Sequence, residues 1–286
     1  MIEKNEIIEF AKIKDLNLSI IEKDYVLGWI LAAIQNNTEL FENWIFKGGT
    51  CLKKCYFENY RFSEDLDFSL IEASHINEKF LKNLMLQISK WLYDEIGLEI
   101  PVDSIVIELY KNKINNINAQ ISLKYCGPLR PKSKRSWPKV KFDLSADERI
   151  VKIPEKRKIF HNYSDEPLKG IYVHAYPIEE VFAEKLRALV ERCRPRDLYD
   201  VIMLYHEKDN YKLSPISCLN ILKEKCAHKS IDLPNLIKMD NHPQKEILIS
   251  QWNNMLQHQI SNLPNYDVFW INLSEVFKWL AITPNQ

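Results

Sequence analysis

Between residues 43 and 70 the chain sets a Gly-Gly-Thr turn ahead of an Asp-x-Asp segment, and few folds accommodate that pair. Two of the six glycines in the 286-residue chain stand side by side at Gly48 and Gly49. They follow the apolar run Trp44-Ile45-Phe46 and precede a segment in which Leu52, Cys55 and Tyr56 recur at helical spacing. The pattern predicts strand, tight turn and helix, an order that aims backbone N–H groups and a helix start at a phosphate. Thr50 adds a hydroxyl at or near the helix cap. Asp65-Leu66-Asp67-Phe68 then predicts a strand whose two carboxylates share one face while Leu66 and Phe68 enter the core. Two carboxylates on one rigid face form a hard oxygen site suited to Mg²⁺. A phosphate cradle followed by such a pair points to phosphoryl or nucleotidyl transfer.

Helices are expected over residues 5–12 and 19–35, the second opening on a capping box of Ser19 and Glu22, and over 78–93. Three strand-like runs follow, at 104–110, 119–125 and 139–145. The last alternates Val140, Phe142 and Leu144 with Lys139, Lys141, Asp143 and Ser145. Asp143 thus falls on the polar face beside Lys141, where it is either a third site carboxylate or a solvent-facing acid on an edge strand. Between those strands, seven basic residues and no acid occur from Lys124 to Lys141, with Trp137 and three prolines among them. A basic loop of this kind suits a triphosphate or a nucleic-acid backbone, although charge runs also occur as plain solvated surface. Residues 146–176 read as loop, with a short strand at 170–174, and neither His161 nor His174 carries recognisable chemistry.

From Pro177 onward the pattern becomes helical. Lys185 sits inside the apolar stripe of the 178–193 helix, where a lysine must snorkel out or meet an anion. Amphipathic stretches at 214–228, 242–260 and 266–281 complete a helical bundle. The expected fold is α+β, with a mixed sheet flanked by helices over 1–176 and a helical domain over 177–286 that completes the active-site cleft.

Gly48-Gly49-Thr50 followed by Arg61-Phe62-Ser63-Glu64-Asp65-Leu66-Asp67-Phe68 resembles the nucleotidyltransferase core of the AbiEii/AbiGii toxins. These are members of the DNA polymerase β-like superfamily that act in abortive infection and type IV toxin–antitoxin systems. Glu22-Lys23-Asp24-Tyr25-Val26-Leu27 looks like that family's leading helix, with Lys23 and Asp24 set apart as candidates for more than packing. Glu184 to Leu189 and Arg196-Asp197-Leu198-Tyr199-Asp200 resemble its last two motifs. The resemblance implies that Asp65, Asp67 and Asp143 hold Mg²⁺ or Mn²⁺. It further implies that Gly48, Gly49 and Thr50, with Ser63 and Lys141, contact the NTP. Lys185 would face the triphosphate, supported by Asp200 or by Asp197, which is otherwise a helix cap. Lys47 stands where a small apolar residue is expected before Gly-Gly-Thr. Relatives that extend the 3′ end of tRNA imply an RNA acceptor and a cognate antitoxin. A protein acceptor and a non-catalytic nucleotide- or RNA-binding module are the alternatives.

The remaining composition excludes several classes. Net charge is zero, so no global field marks a nucleic-acid partner. The six cysteines form no Cys-x-x-Cys pair and read as reduced, buried thiols rather than zinc ligands. No Gly-x-x-x-x-Gly-Lys-Ser/Thr is present, which excludes a P-loop. The longest apolar run, from Tyr25 to Ile34, is too short to span a bilayer, and Met1 to Glu6 has no signal-peptide character. A cytoplasmic protein is expected.

Overall fold

Strict alternation of apolar and polar residues decides the first unit. The computed structural model describes residues 1–112 and 115–282, so the last four positions of the expected C-terminal domain lie outside the described residues. Among the described residues, seven strands form one mixed sheet in the order β3-β4-β5-β2-β1-β7-β6. They are β1 (Trp44–Lys47), β2 (Asp65–Leu70), β3 (Val106–Lys111), β4 (Ile117–Lys124), β5 (Lys139–Ser145), β6 (Glu155–Lys158) and β7 (Tyr172–Ala175). β2 runs antiparallel to β1 and parallel to β5. Leu66, Phe68, Val140, Phe142 and Ile121 are fully buried, while Asp65, Asp67, Lys141 and Asp143 stay accessible on the opposite face. The polar face of this sheet is where chemistry can occur.

Helices α1 (Lys4–Lys14), α2 (Leu18–Asn36), α3 (Thr38–Asn43) and α5 (Glu78–Ile96) belong to the same unit, with α4 (Gly48–Cys51) opening the helical run after β1. α2 is apolar almost all round and packs against α1, α3, α5 and β7, which is why it reads as one continuous buried helix. Its cap differs from the expected one. Asn17, not Ser19, accepts the first free backbone N–H, so the helix begins one residue earlier. α4 passes directly into a π-helical turn, Leu52–Tyr56, a wide turn found preferentially near functional sites.

Two features departed from the sequence pattern. Glu155-Lys156-Arg157-Lys158 has no apolar alternate and was expected as loop, yet it pairs antiparallel with β7 as the sheet's edge strand. Charged residues on a short edge discourage further strand addition. The chain also partitions with one excursion: residues 1–148 and 154–175 form the first unit, while 149–153 join the second, which resumes at Tyr176.

The second unit holds α6 (Ile178–Arg192), α7 (Pro195–His206), α8 (Pro215–His228), α9 (Leu236–Asp240), α10 (Lys245–Leu256) and α11 (Tyr266–Trp279). α6 packs on α7 and α8, and α7 in turn receives α10 and α11. Polar groups fix the start of the bundle. The carboxylate of Glu180, fully buried, accepts the backbone N–H groups of Val151 and Lys152. It also pairs at 2.9 Å with buried Lys225, which reaches Glu184 at 3.3 Å and the carbonyl of Arg149. This network explains why 149–153 belong to the helical unit. Glu180→Gln leaves Lys225 with only the longer ion pair and is expected to cost about 3 kcal/mol, read as a lower urea midpoint with an unchanged slope.

Candidate active site

The register of the sheet assembles a row of functional side chains. Asp67 on β2 is abreast of Lys47 on β1 and of Asp143 on β5, and Asp143 is abreast of Gln120 on β4. One step along, Asp65 is abreast of Lys141. Paired residues on neighbouring strands point to the same side, so Asp65, Asp67, Lys141 and Asp143 share the polar face about 5 Å apart from strand to strand. Like charges at that spacing repel, and the neighbours supply the opposing groups. Gln120 Nε2 donates to Asp143 Oδ1 at 2.9 Å. Lys47 Nζ lies 3.7 Å from Glu148 Oε1. Tyr110 on β3 registers the same field: burial and then Asp143, followed by Asp147, Asp67 and Glu148, push its phenol upward.

The Gly-Gly-Thr turn is fitted against this row. Gly48 has φ +79°, open to glycine at little cost, and any Cβ there would overlap the Asp67 carboxylate. A Cβ at Gly49 would meet Arg61 Nη2 at 2.6 Å and Ser63 Oγ at 3.0 Å. Gly48 is therefore required by its backbone and by close approach, whereas at Gly49 the facing wall is the mobile end of Arg61 together with Ser63. Thr50 is not a cap, since Lys47 occupies that position. Its hydroxyl donates instead to the carbonyl of Asp65 and ties the turn to the Asp-x-Asp strand.

Among the described residues, no three His, Cys, Asp or Glu side chains converge as a preformed metal cage. Mg²⁺ seldom uses such a cage. It usually binds through one or two carboxylates together with substrate phosphates and water. The paired carboxylates of Asp65, Asp67 and Asp143, one of whose oxygens is already oriented by Gln120, fit that mode.

Lys185 resolves the choice its position posed. It meets anions: its Nζ lies 2.8 Å from Asp200 Oδ2 and 3.6 Å from Asp197 Oδ1, both aspartates being fully buried. Asp197 is not the cap of α7, a position held by Arg194. It takes a two-pronged contact from Arg192, at 2.6 and 2.8 Å. Burial alone would raise the Asp197 carboxyl, but Arg192 and then Lys185 hold it below the usual range. Asp200 is the closer partner of Lys185, while Asp197 links that pair to Arg192.

The leading helix serves the first motif directly. Lys23 Nζ lies 2.6 Å from Glu64 Oε2, and Asp24 pairs at 2.7 Å with buried Lys54. Glu22 Oε1 accepts the N–H of Leu129, anchoring the basic loop. Within that loop Trp137 is only 8% exposed and donates to the Pro131 carbonyl, so it pins the loop and is not an open stacking platform. Arg130, Lys132, Lys134 and Arg135 remain exposed. Arg61, Gln120 and Glu148 had no assigned role from sequence. Arg61 opens the Arg-Phe-Ser-Glu-Asp-Leu-Asp-Phe motif, whereas Gln120 and Glu148 become readable only from strand register and packing.

The family described as nucleotidyl transferase AbiEii toxin, type IV TA system, matches residues 29–279. The chain belongs to this family. No curated protein matches the chain. Among solved structures, the fold is similar to MenT4, a nucleotidyltransferase toxin from Mycobacterium tuberculosis H37Rv, with a TM-score of 0.53 at 16% identity over 99% of each chain. This AbiEii-family chain is accordingly a nucleotidyltransferase on a mixed sheet flanked by helices, and the reading as a non-catalytic module is set aside. Gly48→Ala is expected to lower nucleotidyl transfer at least about a hundred-fold by displacing the Asp67 carboxylate, with circular dichroism unchanged.

Proposed function

We propose that this AbiEii-family enzyme transfers an NMP from an NTP to a hydroxyl of RNA, the 3′ end of tRNA, with Mg²⁺, in the cytoplasm and under control of a cognate antitoxin. The observation that carries this reading is the placement of Asp67 beside Asp143, with Asp65 on the same face and the Gly48 turn fitted against Asp67. Asp65, Asp67 and Asp143 would hold Mg²⁺ or Mn²⁺, which would supply neutralising charge for the triphosphate and leaving pyrophosphate. The residues themselves do the rest. Gly48, Gly49 and Thr50 admit phosphate close to the backbone, and Ser63 and Lys141 flank it.

The acceptor oxygen attacks the α-phosphorus, the bond from that phosphorus to the α–β bridging oxygen breaks, and pyrophosphate leaves with the electron pair. A carboxylate of the row takes the hydroxyl proton, and Asp143 Oδ2, left open by the Gln120 contact, is suited to it. Lys185 acts as counter-charge to the triphosphate, oriented by Asp200. The exposed cations of the Lys124–Lys141 segment give the acceptor backbone a local attractive patch despite zero net charge.

Incubation with Mg²⁺, each labelled NTP in turn and total tRNA is expected to label RNA with one preferred nucleotide. Asp65→Ala is expected to lose at least about a thousand-fold with folding retained. Label on protein in place of RNA would sink the RNA acceptor while leaving the transferase intact.

A further inference from the structure

The first unit contains a cavity of about 210 Å³ that the transfer reaction does not use. α1, α2, the π-turn and the loops around Phe62 and Phe160 form its walls, which open on one side to solvent and carry the rings of Phe10, Phe62, Phe160 and Tyr163 beside Asp24 and Glu58. Two ammonium groups, Lys14 and Lys53, also line it. Lys53 is only 8% exposed. Its Nζ donates to the Glu58 carbonyl at 2.6 Å and lies 4.9 Å from the centre of the Phe62 ring, and among the described residues no carboxylate is in ion-pair range of it.

Among the described residues, both carboxylates that line the cavity have other partners. Asp24 holds Lys54 at 2.7 Å and accepts the Tyr163 hydroxyl at 3.0 Å. The Glu58 carboxylate accepts from Asn162 at 2.6 Å. Lys14 donates to the Asn59 amide oxygen, a neutral partner. A buried ammonium that shares its nearest carboxylate with another lysine is costly, and here it opens onto a space walled by aromatic rings. Burial draws the Lys53 ammonium down to about 8. Asp24 opposes that shift, Lys54 and Lys14 add to it, and Glu58 opposes it weakly.

We propose that this cavity binds a small aromatic anion, a carboxylate or phosphate of one- or two-ring size, with its charge on Lys53 and Lys14 and its ring among Phe10, Phe62 and Tyr163. The size agrees, because a dry cavity of about 150 Å³ accepts benzene, and the remaining space admits one anionic group. The occupant touches both arms of the catalytic motif. Lys53 follows Thr50 by a single helical turn, and Phe62 immediately precedes Ser63.

Phenyl phosphate titrated into the full-length protein by calorimetry tests this site. Binding at pH 6.5 is expected to exceed that of cyclohexyl phosphate or phenol. It is expected to weaken about ten-fold in Lys53→Met and to vanish in Ile13→Trp, which fills the cavity from an exposed position on α1 while keeping Lys53. Affinity is expected to fall as pH rises through about 8, where Lys53 loses its proton. Asp65→Ala is expected to bind normally, which separates this cavity from the phosphate site of the transferase. Undiminished binding in both Lys53→Met and Ile13→Trp, or no binding at millimolar probe, would overturn the proposal. Release of phenyl phosphate by a short RNA would also overturn it, by making the cavity part of a nucleic-acid path.

Discussion

Repulsion between Asp67 and Asp143 is the constraint around which the catalytic unit is arranged. The parallel pairing of β2 with β5 places these carboxylates abreast, a position that costs free energy until cations and donors answer it. Each nearby feature answers part of that demand. Gln120 holds one oxygen of Asp143, Lys141 stands beside Asp65, and Lys47 brings positive charge to the end of the row. Thr50 and the Gly48 turn then fix the Asp-x-Asp strand from the other side. The proposed transfer reaction would draw on that charge to hold a cation accompanied by phosphate.

The same logic recurs in buried ion pairs elsewhere. Lys54 with Asp24, Lys185 with Asp200 and Asp197, and Lys225 with Glu180 each place a lysine inside an apolar helix and match it with carboxylate. Such pairs add little net stability compared with well-packed apolar side chains. They do fix which helix faces which, since a lysine without its acid is penalised. Lys53 breaks the pattern, because it too is buried and has a carbonyl where the others have a carboxylate.

Much of this was legible in the sequence because the decisive signals were local. Period-two alternation located β2, β4 and β5, and the Gly-Gly-Thr and Asp-x-Asp motifs gave the polar face and its acids. What escaped depended on tertiary pairing. β6 has no apolar alternate, so only β7 beside it makes it a strand. The α2 cap passed from Ser19 to Asn17 because both residue types cap well and backbone geometry decides. Gln120 and Glu148 act through neighbours far away in sequence, and no motif records them. Lys185 is anomalous in an apolar stripe, but its two aspartates can be ranked only by distance.

The excursion of residues 149–153 has a consequence for how the polypeptide can be divided. Glu180 and Lys225 grip this short strap from beyond the sheet, although the chain on both sides of it belongs to the sheet. A fragment ending at residue 175 would keep every strand yet leave the strap's backbone N–H groups of Val151 and Lys152 without their acceptor. A fragment beginning at residue 176 would bury the Glu180 carboxylate with those donors gone. The two units are therefore separate cores but not separable pieces, and circular permutation or domain grafting would have to carry the strap along with the helices.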